Sequence, residues 1–113
     1  MITISRYMPN ESEYAICVDL GSVRLYYSYE TIIAFWIMGE GITVCENIWS
    51  RTTGKHINYL RGVPGTVAHV HPAVFGQRLS TLMHRIEYAL THLELARRIE
   101  EAGNERMGTG SGG

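Results

Sequence analysis

The spacing of apolar residues changes partway along this chain, and that change restricts the fold more than any other feature. Up to about residue 49 the apolar positions alternate with polar ones, the period of a half-buried strand. Ile2 and Ile4 alternate with Thr3 and Ser5. Tyr14, Ile16, Val18 and Leu20 alternate with Ala15, Cys17 and Asp19. Val23, Leu25, Tyr27 and Tyr29 resume the pattern, which predicts Tyr27 and Tyr29 on one face and Tyr26 on the other. "TIIAFWIM" is continuously apolar and β-branched at its start, as suits a strand covered on both faces. "ITVCENIW" alternates again, and Pro9-Asn10, Gly21-Ser22 and Gly39-Glu40-Gly41 supply the turns. The expectation is an antiparallel meander of four or five strands over residues 2–49.

From Pro72 onward the period becomes helical. Phe75, Leu79, Leu82, Ile86, Ala89, Leu93 and Ala96 are spaced 4, 3, 4, 3, 4, 3, a heptad-like seam, and Leu90, Leu95 and Ile99 widen it. Pro72 suits a first turn and Gly103 a stop. This predicts a dominant helix within residues 73–103, either continuous or a helical hairpin broken near Gly76 or Thr91. A helix of about 30 residues would span roughly 45 Å, more than a small sheet can cover. Its far half would then fold back or pack on another copy, so a homo-oligomer, dimer or larger, is expected. The class is α+β, with one domain over 1–104, a short helix near 51–60, and a glycine-rich tail at 105–113.

Composition sets further bounds. The chain has 113 residues, 45% of them apolar, enough for one modest core. A formal net charge of −1 argues against a strongly acidic nucleic-acid mimic and against a general basic coat for nucleic acid. Cys17 and Cys45 sit in apolar runs with no CxxC pair, and read as buried reduced thiols. The longest strongly apolar run is too short to span a bilayer, so a cytoplasmic protein with no membrane partner is expected.

The densest polar chemistry lies in "SRTTGKHINYL", residues 50–60. Ser50 can cap a helix whose apolar face carries Ile57 and Leu60. The first turn then holds Arg51, Thr52 and Thr53, followed by Lys55, His56 and Asn58. Free N–H groups at a helix start, with hydroxyls and a cation, suit an anion; the same residues also serve as plain caps and solvated surface. The stretch is not a Walker A loop, because Gly54-Lys55 is followed by His56. Seven tyrosines stand among 113 residues, and Tyr29, with Arg24 and Arg51, could stack and hold a base, or pack in core and interface.

Two short motifs carry a resemblance. Ser28-Tyr29-x-Thr31, then Thr52-Thr53-x-x-His56-x-Asn58 after a strand, resemble a family of small phage and prophage proteins, over residues 23–60. The resemblance implies a viral accessory protein in a host cytoplasm and no particular activity. With the donor-rich motif, it leads to an expectation of stoichiometric binding in counter-defence, by sequestering a nucleotide-like immune signal. The alternatives are an inhibitor or adaptor that binds a host defence protein through the helix, and a nucleic-acid-binding regulator.

Other chemistry is thinner. His69 and His71 could join His56 around a metal, but no cysteine or carboxylate nearby completes the set, and none is expected. Ser28 or Cys45 with His56 would make a nucleophile and base, yet no nucleophile elbow or Cys-His signature accompanies them. No enzyme activity and no cofactor are expected.

Overall fold

The computed structural model describes residues 2–9, 13–47 and 49–112, with side chains as far as residue 103. Two compact units divide the chain, Met1–Gln77 and Arg78–Gly113. The first holds a six-stranded sheet: β1 (Thr3–Arg6), β2 (Ala15–Asp19), β3 (Val23–Ser28), β4 (Thr31–Ile37), β5 (Gly41–Cys45) and β6 (Thr66–Val70), ordered as in sequence. The first five strands form the expected antiparallel meander. The sixth, which the strand count over residues 2–49 leaves out, joins β5 in parallel after a crossover through α1 (Arg51–Arg61). A parallel neighbour needs such a crossover, and α1 supplies it.

Gly41 marks the junction with β6. Its φ of +84° favours glycine, and a Cβ there would lie 2.7 Å from the Gly65 carbonyl, which accepts the Ile42 N–H at 2.9 Å.

Register assigns the faces. Arg24, Tyr26 and Ser28 of β3 stand opposite Asp19, Cys17 and Ala15 of β2, and Thr3 and Ser5 of β1 oppose Asp19 and Cys17. These residues share the face on which α1 lies. There Ile57 and Leu60 join Cys17, Tyr26, Ile33, Ala34, Ile42 and Val44 in one buried cluster, with Tyr7, Trp36 and Val63 at its margin. A bulge after Tyr26 leaves Ile33 without a partner across the ladder and turns it into that core. On the opposite face Phe35 packs against Phe75, ring centroids 5.4 Å apart.

The second helix, α2 (Pro72–Gly112), is one unbroken helix, which decides between the continuous helix and the hairpin. Its start is capped by His71, whose Nδ1 accepts the Ala73 N–H at 3.1 Å. The helix takes in residues 105–112, which composition reads as tail; Gly113 lies outside the described residues. From residue 87 to 102 every side chain but Glu94 is exposed. No helix among the described residues is long and apolar enough to cross a membrane.

Cys17 and Cys45 are both free and buried. Burial, with the charge of Glu46 adding to it, pushes the Cys45 thiol up to about 11, and burial raises Cys17 as well. The thiolate is the reactive form. Native protein at pH 8 should therefore resist iodoacetamide at both positions, with both labelled once urea is added, as intact mass would report.

Candidate functional site

The site grows from the way α1 is pinned to the sheet. Ser50 caps the helix as its sequence position predicts: its hydroxyl oxygen accepts the Thr53 N–H at 3.2 Å. Helical spacing then splits the motif. Thr53, His56, Ile57 and Leu60 are buried, whereas Arg51, Thr52, Lys55, Asn58 and Tyr59 are exposed. Gly54 faces the Asn47 side chain, whose amide nitrogen would lie 2.8 Å from a Cβ there and could turn aside.

The two buried polar residues of α1 meet the end of β3. The Ser28 hydroxyl donates to Thr53 Oγ1 at 3.0 Å and lies 2.6 Å from His56 Nδ1. The Ser50 hydroxyl also reaches Thr53 Oγ1, at 3.3 Å. If Ser28 gives its one proton to Thr53, then His56 carries a proton on Nδ1 and donates it to Ser28. Ser28 and His56 are only 1% and 2% exposed, and with Thr53 they form a buried clasp between strand and helix. Among the described residues no buried side-chain nitrogen or oxygen lacks a partner.

Tyr29, directly after Ser28, is the one described non-glycine residue with positive φ, 57°. An aromatic residue in that region is costly. The left-handed turn takes Tyr29 off the face that alternation assigns it with Tyr27. Its ring instead stacks on Tyr14, with centroids 4.6 Å apart, and lies 6.2 Å from the His56 ring. His56 in turn stands 6.4 Å from Tyr7, and Tyr7 stands 5.4 Å from Tyr26 and 6.3 Å from Tyr59. Five tyrosines and one histidine thus form a continuous track of rings, which strand alternation alone could not reveal because it depends on the Tyr29 turn and on α1.

Arg24 lies at the other end of this track. Its guanidinium sits 4.5 Å over the Trp36 ring and its Nε donates to Asp19 Oδ2 at 3.1 Å. The Gly21 N–H bonds Asp19 Oδ1 at 2.8 Å, and that bond, aided by Arg24, holds the Asp19 carboxyl below its usual range. The Tyr7 hydroxyl donates to the Tyr27 carbonyl at 2.8 Å, and burial raises the Tyr7 phenol well above its ordinary pKa.

Of the sequence-predicted residues, Thr53 and His56 lie in the clasp, Tyr29 and Arg24 at two ends of the ring track, and Arg51, Thr52, Lys55 and Asn58 on the outer face of α1. His71 is engaged as a cap and His69 is exposed on β6. No group of three or more His, Cys, Asp or Glu among the described residues is placed to hold a metal.

The clasp makes a quantitative prediction. Ser28→Ala takes a partner from both Thr53 and His56, and an unsatisfied buried group costs about 1–3 kcal/mol. Urea unfolding should show that loss, whereas Thr52→Ala on the exposed face should stay within about 0.5 kcal/mol of the parent.

Residues 2–71 match the model of DUF8033, a family of unknown function. No curated protein and no solved structure matches the chain.

Proposed function

We propose that this chain, which belongs to the DUF8033 family, works by stoichiometric binding of a nucleotide-like anion on the outer side of α1. The observation that carries this reading is the junction of β3 and α1. The Ser28–Thr53–His56 clasp sets the Tyr14–Tyr29 stack beside the helix whose first turns present Arg51, Thr52 and Lys55. Stacked tyrosine rings suit the face of a base. The exposed cations, at the positive end of a helix dipole, suit its phosphate. The strained Tyr29 backbone fits the same reading, since strain of this kind collects at binding sites. The counter-defence setting rests on the phage-like motifs, Ser28-Tyr29-x-Thr31 and Thr52-Thr53-x-x-His56-x-Asn58.

Calorimetry against a panel of linear and cyclic nucleotides tests this. A charge-assisted hydrogen bond is worth roughly 1.5–3 kcal/mol. Lys55→Ala should therefore weaken binding about ten- to a hundredfold and leave the melting temperature nearly unchanged, because an exposed lysine carries little stability. Absence of heat from every nucleotide would end the reading.

A second reading, a protein-binding or self-assembling module, is favoured by α2. Tyr88, Leu90, Leu93, Leu95 and Ile99 are 54–68% exposed. Besides the seam through Leu93, a second stripe runs through Tyr88, His92, Leu95, Ile99 and Ala102 at spacings of 4, 3, 4 and 3. In it the Tyr88 and His92 rings lie 4.0 Å apart. Two heptad stripes about 100° apart around one helix suit contact with more than one neighbouring helix. Sedimentation velocity should show an oligomer of the parent chain and a smaller species for a Leu95→Glu, Ile99→Glu variant. A parent monomer at high micromolar concentration would exclude self-assembly.

A further inference from the structure

The face that carries α1 also holds a cleft that the helix leaves open. Thr3, Ser5, Cys17, Asp19, Arg24 and Tyr26 line it, from three adjacent strands, with Tyr7 at its rim. Its volume is about 270 Å³, just under the roughly 300–1,000 Å³ of pockets for drug-sized ligands, and therefore suited to a single ring system. The floor and wall are aromatic: Tyr7 and Tyr26 meet at an interplanar angle of 79°, an L-shaped corner. At its polar side the Asp19–Arg24 pair is half-exposed, with side chains 32% and 43% accessible.

That pair is held from several directions. One face of the guanidinium is taken by Trp36, its Nε by Asp19, and the Tyr26 side chain also hydrogen-bonds it, which leaves the remaining terminal N–H donors on its edge. Asp19 spends one lone pair of Oδ1 on Gly21 and one of Oδ2 on Arg24. A carboxylate has about four acceptor sites, so each oxygen can accept one more bond. The cleft therefore shows, side by side, a fixed donor and a fixed two-oxygen acceptor. The complementary group offers an acceptor beside two adjacent donors. Among nucleobases guanine does so on one edge, with its carbonyl, ring N–H and exocyclic amine.

We propose that this cleft is a base-recognition subsite for a guanine-type edge, in which Asp19 accepts from the ring N–H and amine, Arg24 donates to the carbonyl, and the Tyr7–Tyr26 corner takes the ring. The proposal rests on the nucleotide reading and gives its ligand a second base position, distinct from the Tyr14–Tyr29 stack. The cleft joins that site through the ring track, from Tyr26 through Tyr7 and His56 to Tyr29.

The test uses the full chain and free nucleosides, which carry no phosphate. Titrations with guanosine, inosine, adenosine, cytidine and uridine, followed by Trp36-sensitive fluorescence and by Tyr7 and Tyr26 ring-proton shifts, should place guanosine at least tenfold tighter than adenosine, cytidine and uridine. Inosine, which lacks the exocyclic amine, should fall between. Arg24→Lys, which keeps the charge and loses the planar fork, should weaken guanosine at least tenfold, and Asp19→Asn should abolish the preference over inosine. Each variant's melting curve guards against a folding defect. Equal binding of all five nucleosides, no binding of guanosine, or guanosine binding indifferent to Arg24→Lys would overturn the subsite. Nucleotide binding that is lost in Lys55→Ala and blind to the base would overturn the subsite alone and leave the anion reading standing. Lack of binding by nucleosides and nucleotides alike would remove both.

Discussion

The buried contact among Ser28, Thr53 and His56 is the constraint on which the rest of the first unit depends. Polar groups taken out of water must find partners, and a half-made set is worse than none. Here Ser28 on β3 completes two groups on α1, while Ser50 ties the same network to the helix cap. The arrangement is specific as well as satisfied. A slip of β3 by one residue would send Ser28 to the opposite face, and a slip of α1 would turn Thr53 and His56 away from it. Ile57 and Leu60 supply the apolar area that drives the helix onto the sheet, but apolar contact alone would tolerate neighbouring registers.

This clasp also decides what remains available for function. By drawing Thr53 and His56 inward, it leaves Arg51, Thr52, Lys55 and Asn58 as the residues of the motif that face solvent. By fixing Ser28, it fixes the start of the turn in which Tyr29 adopts positive φ and reaches the Tyr14 ring. The Tyr29 N–H donates to the Tyr14 carbonyl at 3.0 Å, so the strained residue is tied at backbone and ring to the same neighbour. Buried clasp and exposed polar residues are thus interleaved in one short segment.

How much of this the sequence discloses depends on the range of the interaction. The meander was legible because alternation is local, and α2 because its heptad spacing is local too. The Ser50 cap was legible for the same reason. Strand β6 was harder to count, since its five residues alternate between partly covered and exposed positions and its place is set by a parallel crossover. The faces of Tyr26 and Tyr27 follow from period two, whereas Tyr29 escapes it by a turn that only Ser28 and Tyr14 explain. That Ser28 and His56, 28 residues apart, would share a hydrogen bond is invisible to any local rule. The residues of the motif were therefore readable, while their division into buried and exposed sets required the fold.

The family match ends at residue 71, and α2 begins at Pro72. That boundary coincides with a change in how stability is supplied. The clustered core, from Cys17 to Leu60 with Tyr7, Trp36 and Val63, lies wholly within the matched residues. It closes on itself through the sheet and α1. Beyond residue 87 the opposite holds: the helix shows leucine, isoleucine and tyrosine side chains to water. A single helix gains little from propensity alone, and most helical stability in proteins comes from covering an apolar face. The apolar stripes of α2 therefore belong to a different physical problem from the one the family domain solves. The domain uses the clasp to choose its register, and the far half of the helix carries its apolar side chains exposed. Two separate problems, closing a core and covering a helix, are thus divided between the matched residues and the helix that follows them.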